Sequence, residues 1–197
     1  MTITGLEKGY RKQVRIYIDE EYVFSLYENE IKRYQLEKDL EIEEELYQQI
    51  LEETIFKRGK QKAMNLLERM DYTEGELRSK LKQGGFPMEI IERVIAYIHS
   101  YHYLNDQRYV ENYILYKKNS KSIRQMKMEL KQKGVDPELI EEHFEEQKVS
   151  DVMAIQKAIS KKTKDVESLT YPEKQKIASY LFRKGFQESD IRLQLRL

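Results

Sequence analysis

The sequence predicts a mainly α fold: an elongated array of three tandem three-helix, helix-turn-helix-like repeats, preceded by a small N-terminal β-hairpin element. Three observations predict it. Leu81-Lys-Gln-Gly-Gly85-Phe86 returns as Leu130-Lys-Gln-Lys-Gly134-Val135 and again as Leu181-Phe-Arg-Lys-Gly185-Phe186. The glycines stand 49 and 51 residues apart, and a fixed period of this size is the signature of stacked supersecondary units. Near the N-terminus, Val14, Ile16 and Ile18 alternate with Arg15, Tyr17 and Asp19, and the alternation resumes in Tyr22, Phe24 and Leu26. Period-2 runs around a short polar turn (Asp19-Glu20-Glu21) read as a hairpin.

Each repeat carries the same punctuation. The glycine suits a helix C-terminus, where a left-handed residue closes the last turn without a Cβ penalty. The apolar residue after it packs back on its helix. Leu77 and Leu81, Met126 and Leu130, and Ile177 and Leu181 hold the same offsets before their glycines, as i, i+4 pairs on one face. Thr73…Glu76, Ser122…Gln125 and Thr170…Glu173 have the form of capping boxes. Thr73 and Ser122 lie twelve residues before their glycines and Thr170 fifteen, so the third middle helix is predicted to be longer. First helices are expected over about Phe56–Met70, Asp106–Lys118 and Asp151–Lys161. Third helices start at Pro87, at Asp136-Pro137 and shortly before Ile191. The resulting divisions are 1–55 (hairpin plus helices), 56–104, 105–149 and 150–197.

In the first division, Ile3 to Leu6 is a candidate third strand, since a lone hairpin is marginal in water. Glu28 to Leu36 reads as a short helix. Asp39 reads as the cap of a longer one whose stripe is Leu46, Ile50 and Leu51.

Composition narrows the class. The 197 residues include 8 Gly, 3 Pro and no Cys, with 36% charged residues. Disulfides and thiolate metal sites are therefore excluded. No apolar run of membrane-spanning length and no signal-peptide pattern follows Met1, which predicts a cytoplasmic protein without membrane contact. The net charge is zero but uneven. Residues 1–56 carry 7 Lys/Arg against 14 Asp/Glu, whereas residues 149–197 carry 10 against 6. An acidic head on a mildly basic array is not the pattern of a strong DNA binder.

No phosphate loop, nucleophile elbow or acid–base pair is present, so neither catalytic nor cofactor-binding residues are assigned, and the chain is read as a non-enzyme. His99 and His102 share a helix face without a third ligand, so no metal site is assigned. Tyr97, Tyr101 and Tyr103 read as packing residues. The strongest polar signal is a cationic stripe. Lys117, Lys118, Lys121, Arg124, Lys127 and Lys131 follow one another, and from Arg124 onward the steps of three and four place them on one helix face. Arg78 and Lys82 repeat the glycine offsets of Lys127 and Lys131, and Arg183 and Lys184 supply cations in the third repeat. Such a stripe can face phosphates, an acidic protein surface, or solvent alone.

The chain resembles the RecX family, regulators of the RecA recombinase. The resemblance lies in Ala63-Met-Asn-Leu66-Leu67-Glu-Arg69 with Thr73-Glu-Gly-Glu76-Leu77, and in the junction Tyr103-Leu104-Asn105-Asp106-x-x-Tyr109-Val110. It continues in Glu129-Leu130-x-x-Lys133-Gly134-Val135, in Tyr180-Leu181-x-x-Lys184-Gly185-Phe186, and in the hairpin Tyr17-Ile-Asp19-x-x-Tyr22-x-Phe24, similar to the extension of Gram-positive members. Asn105 replaces the first Asp of the family's junction, and Ser120 or Lys121 stands near a glycine of many members. The resemblance implies a monomeric, cofactor-free protein that binds the RecA filament on DNA, with at most weak direct contact to single- or double-stranded DNA. It also implies that the protein restrains the filament's ATPase, strand-exchange and co-protease activities. Two alternatives stand beside it: a helical-repeat DNA-binding protein, and an interaction scaffold with no role in recombination.

Overall fold

The structure is a computed structural model that describes residues 1–9 and 12–197. It comprises two compact units, Met1–Leu104 and Asn105–Leu197.

The first unit opens with β1 (Ile3–Lys8), β2 (Gln13–Ile18) and β3 (Glu21–Tyr27), an antiparallel sheet in sequence order. Asp19 and Glu20 both have positive φ, 49° and 72°, as a two-residue hairpin turn matched to strand twist requires. Glu21 pairs with Ile18 and so belongs to the strand rather than to the turn. The alternation puts Ile16, Ile18, Phe24 and Leu26 on the buried face beside Ile3.

The next stretch departs from expectation. Helix α1 is short, Glu28–Arg33. Asp39 caps no helix: it has φ 66° and its amide donates to the Ile3 carbonyl at 2.8 Å. The chain around it runs along β1, with Ile3 N donating to Leu40 O and Ile42 N to Met1 O, both at 2.9 Å. The outer edge of β1 is therefore covered at its start, Ile3, which shortens an otherwise adhesive sheet edge. Helix α2 begins later, at Glu44–Ile50. It continues through a π-helical segment, Leu51–Phe56, into α3, Lys57–Leu67, with right-handed helical backbone at each join. The expected division at residue 55 thus falls inside continuous helix.

Helices α4 (Glu74–Gln83) and α5 (Met88–Ser100) complete this unit. Sheet and helices share one core, from Ile3 and Phe24 to Leu77, Leu81 and Ile98. Gly59 lets α3 approach α5 closely, since a Cβ there would stand 2.9 Å from Val94 Cγ2.

The second unit holds α6 (Asp106–Lys117), α7 (Ile123–Gln132), α8 (Pro137–Glu146), α9 (Val152–Ser160), α10 (Tyr171–Arg183) and α11 (Glu188–Leu195). It has two separate cores. One is built on Val110, Ile114, Met126 and Leu130, the other on Ile155, Leu181, Ile191 and Leu195.

The repeated signature folds alike three times. Gly85, Gly134 and Gly185 are left-handed, with φ 78°, 78° and 84°. The following amides of Phe86, Val135 and Phe186 donate back to Leu81, Leu130 and Leu181 at 3.3, 3.2 and 3.3 Å. That six-to-one bond, with the apolar residue folded onto the helix, is a Schellman end. Thr73 and Thr170 make reciprocal capping boxes with Glu76 and Glu173. Ser122 makes half of one: its hydroxyl accepts from Gln125 N, but the Gln125 amide turns to Glu129 at 3.0 Å. The third middle helix is the longer one, 13 residues against 10 and 10.

Candidate partner-binding surface

The cationic residues separate into two groups once their partners are known. Arg78 is held between two carboxylates: its Nη2 lies 2.7 Å from Glu92 Oε2, and Nη1 binds Glu74. The hydrogen bonds that Arg78 donates to Glu92 raise the guanidinium pKa above its ordinary value, and Glu92 is lowered in return. Lys127 makes the equivalent bond to Glu141 and covers the Phe144 ring, 5.2 Å from its centroid. Lys121 binds Glu129 Oε1 at 2.6 Å. Burial works to raise the Glu129 pKa, but Lys121, Tyr113 and Gln125 outweigh it and hold the carboxyl below its usual value. The Tyr113 hydroxyl, desolvated and donating to Glu129, is raised. Arg78, Lys121 and Lys127 are therefore cross-braces of the fold and not free members of an exposed stripe.

Arg124 and Lys131 are different. Both are exposed and neither makes an ion pair among the described residues. With Lys127 they form one wall of a groove of about 790 Å³ in the second unit. Its other wall is the end of α10 with Phe182, Gly185 and Phe186. Met128 and Phe182, 52% and 61% exposed, are the apolar residues there that the core leaves uncovered. Neither was indicated by sequence spacing, because each occupies a position where other repeats carry a polar residue. Lys117 and Lys118 are half-exposed near the end of α6 and do not line this groove; Lys82 is exposed on α4. Arg183 and Lys184 are exposed at the end of α10, where Lys184 lies over the Tyr180 ring at 5.2 Å.

Two polar bonds set the position of this groove. The Ser122 hydroxyl donates to the Lys184 carbonyl at 2.8 Å, and Asp151 Oδ1 accepts from the Ile123 amide at 2.8 Å. Asp151 is buried, and burial raises its carboxyl pKa against the hydrogen bond from Ile123. The start of α7 is thereby tied both to the end of α10 and to the start of α9.

His99 binds Glu74, and the described residues contain no group of His, Asp and Glu arranged for a metal. Tyr97 and Tyr101 meet at a tilt of 48° with centroids 4.8 Å apart, Tyr101 and Tyr103 stack at 5.9 Å, and Lys60 lies 4.6 Å from the Tyr97 centroid. Among the described residues no helix is long and apolar enough to cross a membrane.

Comparison with known proteins agrees with this architecture. Residues 60–97 match the family model for the RecX first three-helix domain, and residues 105–143 match that for the second. "Regulatory protein RecX" of Clostridium acetobutylicum is 31% identical over 96% of this chain and 92% of its own. Its counterpart from Caldanaerobacter subterraneus subsp. tengcongensis is 31% identical over the whole of both chains. Among solved structures, a crystal structure of regulatory protein RecX aligns with TM-score 0.64 at 21% identity, over 99% of this chain and 98% of that one. RecX from Lactobacillus salivarius aligns with TM-score 0.60 at 23% identity, over 72% of this chain and 94% of its own. The structural likenesses establish the shared fold. The near-full-length sequence identity, spanning both the N-terminal sheet and the three glycine-capped sets, establishes descent: the chain belongs to the RecX family of regulatory proteins.

Proposed function

We propose that this protein binds the RecA recombinase filament on DNA and restrains its ATP hydrolysis, strand exchange and co-protease activity, acting in the cytoplasm as a regulator rather than an enzyme. The observation that carries this reading is the 31% identity to a RecX regulatory protein over 96% of the chain. The surface supports it. The groove beside Arg124 and Lys131 joins free cations to uncovered Met128 and Phe182, the composition of a surface that takes a partly anionic, partly apolar partner. Three capped helical sets place several modest contacts on one chain, and tethered contacts add through effective concentration.

Autonomous DNA recognition is the less favoured reading. The third helices of the first two sets begin with Met88-Glu89 and Pro137-Glu138, where a groove-reading helix would present Arg, Asn or Gln. The test is single-stranded-DNA-dependent ATP hydrolysis by the cognate recombinase. Addition of this protein at substoichiometric ratio is expected to slow hydrolysis; an unchanged rate at equimolar protein would overturn the proposal.

A further inference from the structure

The three helical sets differ on one face, and the difference is systematic. Seven residues before the left-handed glycine stand Arg78, Lys127 and Ala178. Three before it stand Lys82, Lys131 and Phe182, and seven after it stand Glu92, Glu141 and Arg192. In the first two sets the earlier cation crosses to the later carboxylate and braces the middle helix against the third, as Arg78–Glu92 and Lys127–Glu141. In the third set the cation has become alanine and the carboxylate arginine, so this brace is lost.

What replaces it is a groove of about 740 Å³ between α10 and α11. Ala178, Phe182, Ile191 and Leu197 supply its apolar lining, and Lys176, Arg183 and Arg192 its cations. Its one lining carboxylate side chain, Glu188, sits 3.5 Å from Arg192 with both side chains more than half exposed. An exposed pair of that kind exchanges readily for a better partner. Phe182, 61% exposed, replaces the lysine of the other sets and adds apolar surface that the described residues leave uncovered.

We infer that this groove is a docking site for an acidic amphipathic helix of a protein partner. Its apolar side would lie on Phe182, Ile191 and Leu197, and its carboxylates would meet Lys176, Arg183 and Arg192. Three cationic side chains against one acidic side chain set the sign of the partner, and the apolar floor sets its periodicity, since helices enter such grooves through residues at i, i+3, i+4 and i+7. The volume falls within the range of roughly 300–1,000 Å³ that holds a few anchoring groups. A nucleic-acid strand fits the floor less well. Bases stack on successive aromatic faces, whereas this floor offers one ring among aliphatic side chains. The inference goes beyond the recombinase reading, because it assigns a site and a class of ligand whichever protein supplies the helix.

The test uses the full chain and fluorescence anisotropy of labelled probes. The first is a synthetic helix of about eighteen residues with Leu at the anchoring positions and Glu elsewhere. Its scrambled isomer, its Lys-for-Glu counterpart and a single-stranded oligonucleotide serve as comparisons. The decisive variant is A178K/F182K/R192E, which gives the third set the residues the second carries at the same offsets and is therefore compatible with the fold. The acidic amphipathic peptide is expected to bind at least about tenfold more tightly than its isomer or the basic peptide, and the variant to lose at least about tenfold, roughly 1.4 kcal/mol. Should the triple variant fold poorly, R192E alone, at an exposed site, is expected to weaken binding in the same direction. Equal binding of the scrambled isomer, equal binding by the variants, or oligonucleotide binding that the variant abolishes in place of peptide binding would each overturn the inference. Recombinase activity is not the readout, so the result does not depend on the regulator reading.

Discussion

Ser122 and Lys184, sixty-two residues apart, share one hydrogen bond that serves two helix ends: Ser122 Oγ donates to the Lys184 carbonyl at 2.8 Å while accepting from Gln125 N at 3.2 Å. The hydroxyl therefore satisfies an orphan donor of α7 and an orphan acceptor at the close of α10. Tyr22 does a related service in the first unit, donating to the Gly85 carbonyl at 3.2 Å. A serine that is wholly buried and doubly bonded cannot be replaced by water when it is removed. Ser122→Ala is expected to lower stability by about 1–3 kcal/mol, more than an exposed cap would cost. Thr170→Ala, at an exposed cap, is expected to fall at the lower end of about 0.5–2 kcal/mol. Urea denaturation midpoints of the two variants check the order; Thr170→Ala proving the more harmful would contradict the assignment.

Gly134 has φ 78° at the end of α7. A β-branched side chain resists that region, so Gly134→Val is expected to cost about 1–2 kcal/mol. Gly134→Asn, which tolerates left-handed backbone, should recover part of the loss. Equal denaturation midpoints for Val and wild type would remove the left-handed cap from the account.

The separation of free from braced cations predicts opposite phenotypes on one helix. Arg124→Glu with Lys131→Glu is expected to leave stability within about 0.5 kcal/mol per site, because both residues are exposed. The pair should weaken association with the recombinase filament and flatten its salt dependence, to the extent that the contacts are to phosphate. Lys127→Glu should instead destabilise the fold, since it faces Glu141 with a like charge. Filament binding titrated against salt, beside thermal denaturation, separates the two. Wild-type binding by the Arg124/Lys131 variant would exclude that groove wall from the contact.

Glu129 links stability to acid. Its folded pKa lies below the ordinary glutamate value of 4.5, so the unfolded chain takes up the proton first as pH falls. Its contribution is thus present above about 4.5 and lost as pH drops through the lowered folded value. Glu129→Gln should destabilise the protein at neutral pH and narrow its difference from wild type below that window. Melting curves at pH 7 and pH 3 give the comparison; a constant difference would show that the Lys121–Glu129–Tyr113 cluster carries no ionic stabilisation.

What could be read from sequence was what is local. Glycine ends, Thr and Ser caps, the longer third middle helix and the alternating strands depend on neighbours within a turn or a pleat, and all appear where the pattern puts them. Asp39 was misread because its residue type suits a cap and a left-handed bend equally, and only the pairing of Leu40 and Ile42 with the strand decides between them. The cationic stripe was legible as a line of charges but not as a set of pairs. Which lysines stay free depends on carboxylates fourteen residues away on another helix, as with Lys127 and Glu141. Phe182 is not legible from spacing because Lys82 and Lys131 hold its offset in the other sets, and only its exposure shows that an apolar side chain faces outward there.

The helical path from Glu44 to Leu67 bears on where this protein can be cut. Ile50, Leu51 and Ile55 come before the start of α3 yet are buried in the core that also holds Leu77 and Ile98. A fragment begun at the first repeat would lose Ile50, Leu51 and Ile55 from that core and uncover apolar residues of α5. Residues 1–104 form one compact unit around a single core, so a cut placed between the N-terminal sheet and the first repeat would divide that core.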